Sequence, residues 1–226
     1  MAEVIPLFPL SHVLLPGMPL PLHIFEQRYR DLLADLADAP GGPVFGVVAL
    51  RTGTEAMTPH VLTGDAPDVE SIGTVAEILE IDTAEDGTSD LLSVGSRRFR
   101  LHALLPTGKP YLRGEIEYLD EPDGDLTEAL EGRARELIDV YDDMLTKLAG
   151  RGTGTELPRD ANQLSYQLAA RLPLPPHEKQ ALLTDETTGE RLRRVSRLLR
   201  REIALLQRTR SIAVSPAVLR MVTGTN

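Results

Sequence analysis

The sequence predicts an α+β fold, a β-rich module followed by a helical bundle, and two observations carry that prediction. Hydrophobic residues before about position 125 recur in short runs or at every second position, whereas beyond it they recur at every third or fourth. The charge balance changes at the same place: residues 1–125 carry 8 Lys or Arg against 21 Asp or Glu, and residues 126–226 carry 16 against 13. With 226 residues, of which 42% are hydrophobic, the chain can bury one large core or two small ones.

The elements follow in order. From Ile5 to Leu33 the chain reads IPLFPLSHVLLPGMPLPLHIFEQRYRDLL. Pro6, Pro9, Pro16, Pro19 and Pro21 hold φ and remove amide donors, so the apolar residues between them form only brief strands or turns and no membrane span. Beyond Pro21, Phe25, Tyr29, Leu32, Leu33 and Leu36 share one face at helical spacing, which predicts a helix packed on the preceding strands. Glu26 and Arg28 are expected to form a local charge pair anchoring it. Strands are predicted over 74–82, 91–96, 99–105 and 111–119, separated by turn-prone clusters at 85–87 and 107–110. In the last, Leu112, Gly114, Ile116 and Tyr118 alternate with Arg113, Glu115 and Glu117, the pattern of a sheet with one buried face.

The period then switches. Asp125 with Glu128 offers a helix start, and Leu130, Ala134, Leu137, Tyr141, Leu145 and Leu148 form a stripe ending at Gly150. A polar, glycine-rich stretch over 150–157 reads as a flexible linker. Asp160 and Gln163 make a second capping pattern before Leu164, Leu168 and Leu172; Pro173, Pro175 and Pro176 end that helix and start another. The last helix begins near Thr187, with Glu190 as its capping partner, and presents Leu192, Val195, Leu199, Ile203 and Leu206 to a core.

No residue set converges on catalysis. HEKQA, His177 to Ala181, has Ala181 where a zinc-protease helix needs its second His. The acidic run Asp120 to Asp125 lacks the glycine and the bidentate glutamate of a calcium loop in either register. Gly150, Gly152 and Gly154 have no preceding strand and no following lysine and hydroxyl at phosphate-loop spacing. No GxSxG elbow occurs, no serine has a lysine three residues on, and Ser11 and His12 are adjacent, which in a strand sends them to opposite faces. His12, His23, His60 and His102 are scattered, reading as structural or surface groups. No catalytic residue, metal or cofactor is therefore expected. The chain contains no cysteine, and its acidic start, Met1-Ala2-Glu3, lacks the basic region and apolar core of a signal peptide, so cytoplasm is the expected compartment.

The motifs PLFPL (6–10), VLLPG (13–17) and LPLHIFEQRYRDLL (20–33), with FGVV (45–48), GTVAEILEI (73–81), VGSRRFRL (94–101) and the later EKQALL and ERLRRVSRLLRREIALL, resemble the N-terminal, substrate-binding domain of the Lon protease family from about Ile5 to Arg210. Gln27 stands where the family often has proline. The resemblance implies a PUA-like β pseudobarrel followed by a helical subdomain, with 1–122 as the first part, 123–212 as the second and 213–226 as a tail. It also implies a free-standing, non-enzymatic bacterial module, since the sequence ends before the ATPase phosphate loop and the Ser-Lys peptidase pair of full-length Lon would begin.

What remains is binding. One candidate surface is the proline-punctuated apolar segment, with Leu14, Leu15, Pro16, Leu20, Leu22 and Phe25 as contacts for unfolded or partly folded polypeptide, unless those side chains form the core. The module is then an adaptor or quality-control component, with a protease or chaperone as a further partner. The alternative surface is the arginine-rich last helix, with Arg193, Arg194, Arg197, Arg200 and Arg201 binding RNA as PUA-like domains elsewhere do. The net charge of −10 and the absence of aromatic platforms among the arginines argue against nucleic acid as a partner.

Overall fold

The computed structural model describes residues 3–37, 42–51, 68–106, 108–149 and 156–209. Most of the predicted linker (150–155) and the whole tail lie outside the described residues. The chain divides into two compact units, Met1–Asp120 and Glu121–Asn226.

Among the described residues the first unit holds six strands and a helix: β1 (Glu3–Leu10), β2 (Pro19–Ile24), α1 (Gln27–Ala37), β3 (Val44–Ala49), β4 (Ile72–Thr83), β5 (Ser89–Leu105) and β6 (Leu112–Tyr118). The sheet is mixed, in the order β2-β5-β4-β3-β1-β6 with a further β5–β6 pairing, so the pairings from β5 through β4, β3, β1 and β6 return to β5. β1 and β3 run parallel; every other pair is antiparallel. The two strands predicted over 91–96 and 99–105 are one strand, β5. Its register against β4 shifts between the pairs Thr74–Arg98 and Ala76–Gly95, which leaves Ser96 and Arg97 opposite Val75 alone. That bulge bends β5 without ending it, so its first half serves β2 and its second half β6.

Two clusters fill this unit. Ile5, Leu7, Val48, Val75, Phe99 and Ile116 pack together, and Phe8, Leu20, Ile24, Leu32, Phe45 and Leu91 belong to a second cluster that takes in α1. Gly73 is required where they meet the sheet: a Cβ there would lie 2.4 Å from the Val47 carbonyl oxygen and 2.5 Å from Phe99 Cζ.

The second unit holds α2 (Glu128–Ala149), α3 (Ala161–Arg171), α4 (Pro176–Thr184) and α5 (Thr188–Thr209). Asp160 caps α3, accepting from the Gln163 amide at 2.8 Å. At α5 the Thr187 hydroxyl accepts from the Glu190 amide and Glu190 accepts from the Thr187 amide, each at 3.2 Å, the reciprocal box the sequence predicts. The start of α2 differs. The Thr127 hydroxyl, and not Asp125, caps it by accepting from the Leu130 amide, because the helix begins two residues later than the acidic run suggested. Ala134, Ile138 and Tyr141 are its buried residues, while Leu148 is exposed. Along α5, Leu192, Val195, Leu199, Ile203 and Leu206 are all buried, as their spacing requires.

Candidate functional site

The apolar N-terminal segment divides between the inside and the outside of the sheet. Leu15, Pro16, Gly17 and Met18 form a turn closed by the Met18 amide on the Leu15 carbonyl at 3.1 Å, with Gly17 at φ +77°. Gly95 fastens this turn to β5: the Gly17 amide donates to the Gly95 carbonyl at 2.8 Å, and the Gly95 amide to the Met18 carbonyl at 2.9 Å. Leu14, Leu15 and Leu20 are thereby buried, Pro16 and Leu22 are half-buried, and Phe25 is 48% exposed. Buried side chains cannot meet a ligand, so of the six candidate contacts Leu14, Leu15 and Leu20 serve the core. Phe25 does not join the helical face assigned to it, because α1 starts only at Gln27. Its ring instead faces His23, centroid to centroid 6.1 Å.

Register shows which neighbours Phe25 has. Side chains directly opposite on paired strands share a face. Leu20, Ser93 and Ile78 form one row, and Leu22, Leu91 and Ile81 another, both on the face covered by α1. The other face carries Pro19 with Val94, Pro21 with Leu92 and Glu80, and His23 with Asp90 and Asp82. A register shift between the pairs Ile78–Ser93 and Glu80–Leu92 leaves Leu79 as an extra residue beside Glu80, turned to this second face. Leu79 is 63% exposed and Leu92 37%; Pro19 and Pro21 are exposed as well. Because adjacent strands lie about 4.8 Å apart, Pro21 and Leu92 stand side by side with Leu79 next to Glu80 on the third strand, and Phe25 lies on the far side of His23. The rim is acidic: Glu77, Glu80, Asp82 and Asp90 are exposed, and Asp90 is engaged by His23 Nδ1 at 2.8 Å. Leu79 and Leu92 were missed as candidates, yet each has an apolar neighbour in sequence, Ile78 and Leu91. In a strand two adjacent apolar residues cannot both face inward unless a bulge intervenes.

Behind the same sheet a groove of about 310 Å³ opens between α1 and the β4–β5 hairpin, with Leu33, Ala34 and Ala37 on one wall and Ile81, Thr83 and Ser89 on the other. Arg30 stands in it. The predicted charge pair is formed nearby, with Arg28 and Glu26 at 2.6 Å.

The arginine-rich helix is largely occupied within its own unit. Arg193 pairs with Asp125, Arg194 with Asp185 at 2.7 Å, and Arg201 with Glu178 and Glu202. The hydrogen bonds that Arg194 donates to Asp185, with the charge of that carboxylate, raise its pKa further, and those that Arg201 donates to Glu178 do the same for Arg201. Arg197 and Arg200 are the exposed members of the candidate set with no partner among the described residues. The acidic run completes this arrangement: the carbonyls of Pro122 and Asp123 accept the Thr188 and Gly189 amides at 2.9 and 3.0 Å, closing the free donors at the start of α5. Among the described residues, no group of His, Asp or Glu side chains is placed to hold a metal ion, and no helix is long and apolar enough to cross a membrane.

Comparison with known proteins matches residues 4–201 to the family described as the ATP-dependent protease La (Lon) substrate-binding domain. The Lon protease of Dictyoglomus thermophilum is 28% identical over 91% of this chain and that of Escherichia coli K12 30% identical over 90%. In both cases the chain spans about 25% of the relative's length. Among solved structures, a Lon N-terminal domain protein from Xanthomonas campestris superimposes with a TM-score of 0.62 at 27% identity, over 85% of this chain and 96% of that one. The N-terminal domain of Mycobacterium avium complex Lon protease shares the fold, with a TM-score of 0.58 at 18% identity over 87% and 98%.

Proposed function

The chain belongs to the substrate-binding domain family of the ATP-dependent protease La (Lon), and from that membership we propose that it binds unfolded or partly folded polypeptide through the face bearing Pro21, Leu92, Leu79 and Phe25. The observation that carries this reading is Leu79, 63% exposed on a sheet whose opposite face packs Leu20, Leu22, Ile78 and Leu91 in the cluster that takes in α1. A row of exposed apolar side chains with an acidic rim supplies area without shape, so it accepts many sequences at modest affinity. Micromolar binding, about −8 kcal/mol, is the expected range.

The binding step involves no chemistry at the bound chain, and the purified protein is expected neither to hydrolyse ATP nor to cleave casein. Delivery of the bound segment to a protease or chaperone is the adaptor role this reading assigns. RNA binding through α5 is the weaker account, because Arg193, Arg194 and Arg201 already hold carboxylates. The test is titration of fluorescently labelled casein, a natively unfolded client, at increasing salt. Binding that persists in high salt and weakens on Leu79→Ser with Leu92→Ser supports the apolar face. No binding at tens of micromolar protein removes the polypeptide reading.

A further inference from the structure

We infer that an extended client segment binds by adding a strand to the edge of β4 at Leu79–Thr83, which no strand among the described residues pairs with, with apolar side chains alternating with basic ones. This rests on the polypeptide-binding reading and adds to the apolar face a second contact, in which the client's apolar side chains enter the groove beside α1.

The sheet presents two edges beside the candidate face, and they are not equivalent. Among the described residues β2 pairs only with β5, but Pro19 and Pro21 have no N–H to offer a further strand, which blunts that edge. On β4, pairing with β3 covers Thr74 to Glu77, and the Ile78 amide goes to the Pro43 carbonyl at 3.1 Å. Beyond it, no strand among the described residues pairs with the outer side of Leu79–Thr83, and all five residues are exposed. The direction of their backbone groups follows from the hairpin. The Ala84 amide donates across it to the Thr88 carbonyl at 2.9 Å, so alternation turns Asp82 toward β5 and the N–H and C=O of Ile81 and Thr83 outward. An exposed, proline-free edge with large apolar side chains is a template for strand addition.

The surfaces on either side of that edge define the client. Side chains of an added strand alternate between its two faces. On one side they enter the groove against Leu33, Ala34 and Ile81, where Arg30 disfavours a second cation. On the other they meet Glu80 and Asp82, exposed carboxylates without a basic partner among the described residues. The complementary segment therefore places apolar residues at every second position and Lys or Arg between them. A mixed apolar and acidic segment, or one interrupted by proline, fits neither the charge nor the backbone.

The experiment compares three labelled ten-residue peptides of alternating valine and lysine: unmethylated, N-methylated on every valine amide, and N-methylated on every lysine amide. The unmethylated peptide is expected to bind, and one methylation pattern alone to weaken it at least tenfold, the valine pattern for an antiparallel strand or the lysine pattern for a parallel one. Glu80→Lys with Asp82→Lys is expected to weaken the unmethylated peptide at least tenfold, while casein still binds. Equal binding of all three peptides, with casein bound, overturns strand addition and leaves the polypeptide reading standing. Failure of both peptide and casein overturns both. A protein that sizes as a dimer and becomes a monomer on Ile81→Pro would put a second copy on this edge and overturn the proposal.

Discussion

Arg191 is fully buried on α5, and its guanidinium donates to the Glu121 carboxylate at 2.9 Å. The same group donates to the Ser165 hydroxyl and to the Asn162 side-chain oxygen, each at 2.7 Å, and lies 4.0 Å from the centre of the Tyr166 ring. Tyr166 in turn donates to Glu121 at 2.8 Å. One arginine thus ties α5 to α3 and to the chain entering the second unit. Arg191→Met is expected to destabilise the protein by about 3–5 kcal/mol, since it leaves a partly buried carboxylate without its cation. Urea denaturation monitored by circular dichroism measures this, and a loss below about 1 kcal/mol would contradict the role.

The two faces of the sheet predict opposite outcomes for leucines of β2, β4 and β5. Leu20→Ala should cost about 2–5 kcal/mol of stability as a core truncation. Leu79→Ser and Leu92→Ser should stay near 0.5 kcal/mol, as exposed changes do, while together weakening casein binding about tenfold. Thermal melts and anisotropy titrations on the same variants separate the two effects. Equal destabilisation by all three would place Leu79 and Leu92 in the core.

Close packing at Gly73 predicts that even one methyl group is too large. Gly73→Ala sets a Cβ against the backbone oxygen of Val47, which cannot rotate away as a side chain can, and a loss of about 1–3 kcal/mol is expected. Gly132, with nothing within 4 Å of its Cβ position, is the control: Gly132→Ala in the second turn of α2 should raise stability by about 0.5–1 kcal/mol.

Tyr111 predicts an alkaline effect of defined sign. Burial, with the hydrogen bond it donates to Asp35, pushes its phenol up to about 12, whereas an unfolded tyrosine titrates near 10. Between those values the folded state holds a proton that the unfolded state has lost, so stability contributed by this contact is complete below pH 10 and disappears as pH rises toward 12. Burial also raises Tyr141 to about 12, so the difference between the wild type and Tyr111→Phe isolates the titration of the Tyr111 phenol, set by its burial and its bond to Asp35 together. Denaturation midpoints between pH 9 and 12 should fall less steeply in the variant; parallel profiles would refute the assignment.

Pairing along α5 limits its use for nucleic acid. With Arg197 and Arg200 as the unpaired members of the candidate set, single-stranded RNA binding should show a log–log salt slope no steeper than about −1.4, at about −0.7 per phosphate contact. A slope several times larger that is lost on replacing Arg193, Arg197 and Arg200 would restore the RNA reading.

Local chemistry alone determined the class of fold, the capping of α3 and α5, the buried stripe of α5 and the resemblance of the N-terminal motifs, because periodicity, caps and proline positions act within a few residues of chain. Residues distant in sequence decided the rest. Whether Leu14, Leu20 or Phe25 faces a core depends on β5, some seventy residues later, and on the turn that Gly95 fastens. The joining of two predicted strands into β5 depends on having partners along both halves. Leu79 and Glu80 share the outer face because of a bulge that exists only once β4 and β5 are in register. The acidic run and the arginines of α5 are more than sixty residues apart, and only folding of the second unit makes them partners. Burial and pairing are properties of what lies opposite, and for these residues what lies opposite is set by the tertiary structure.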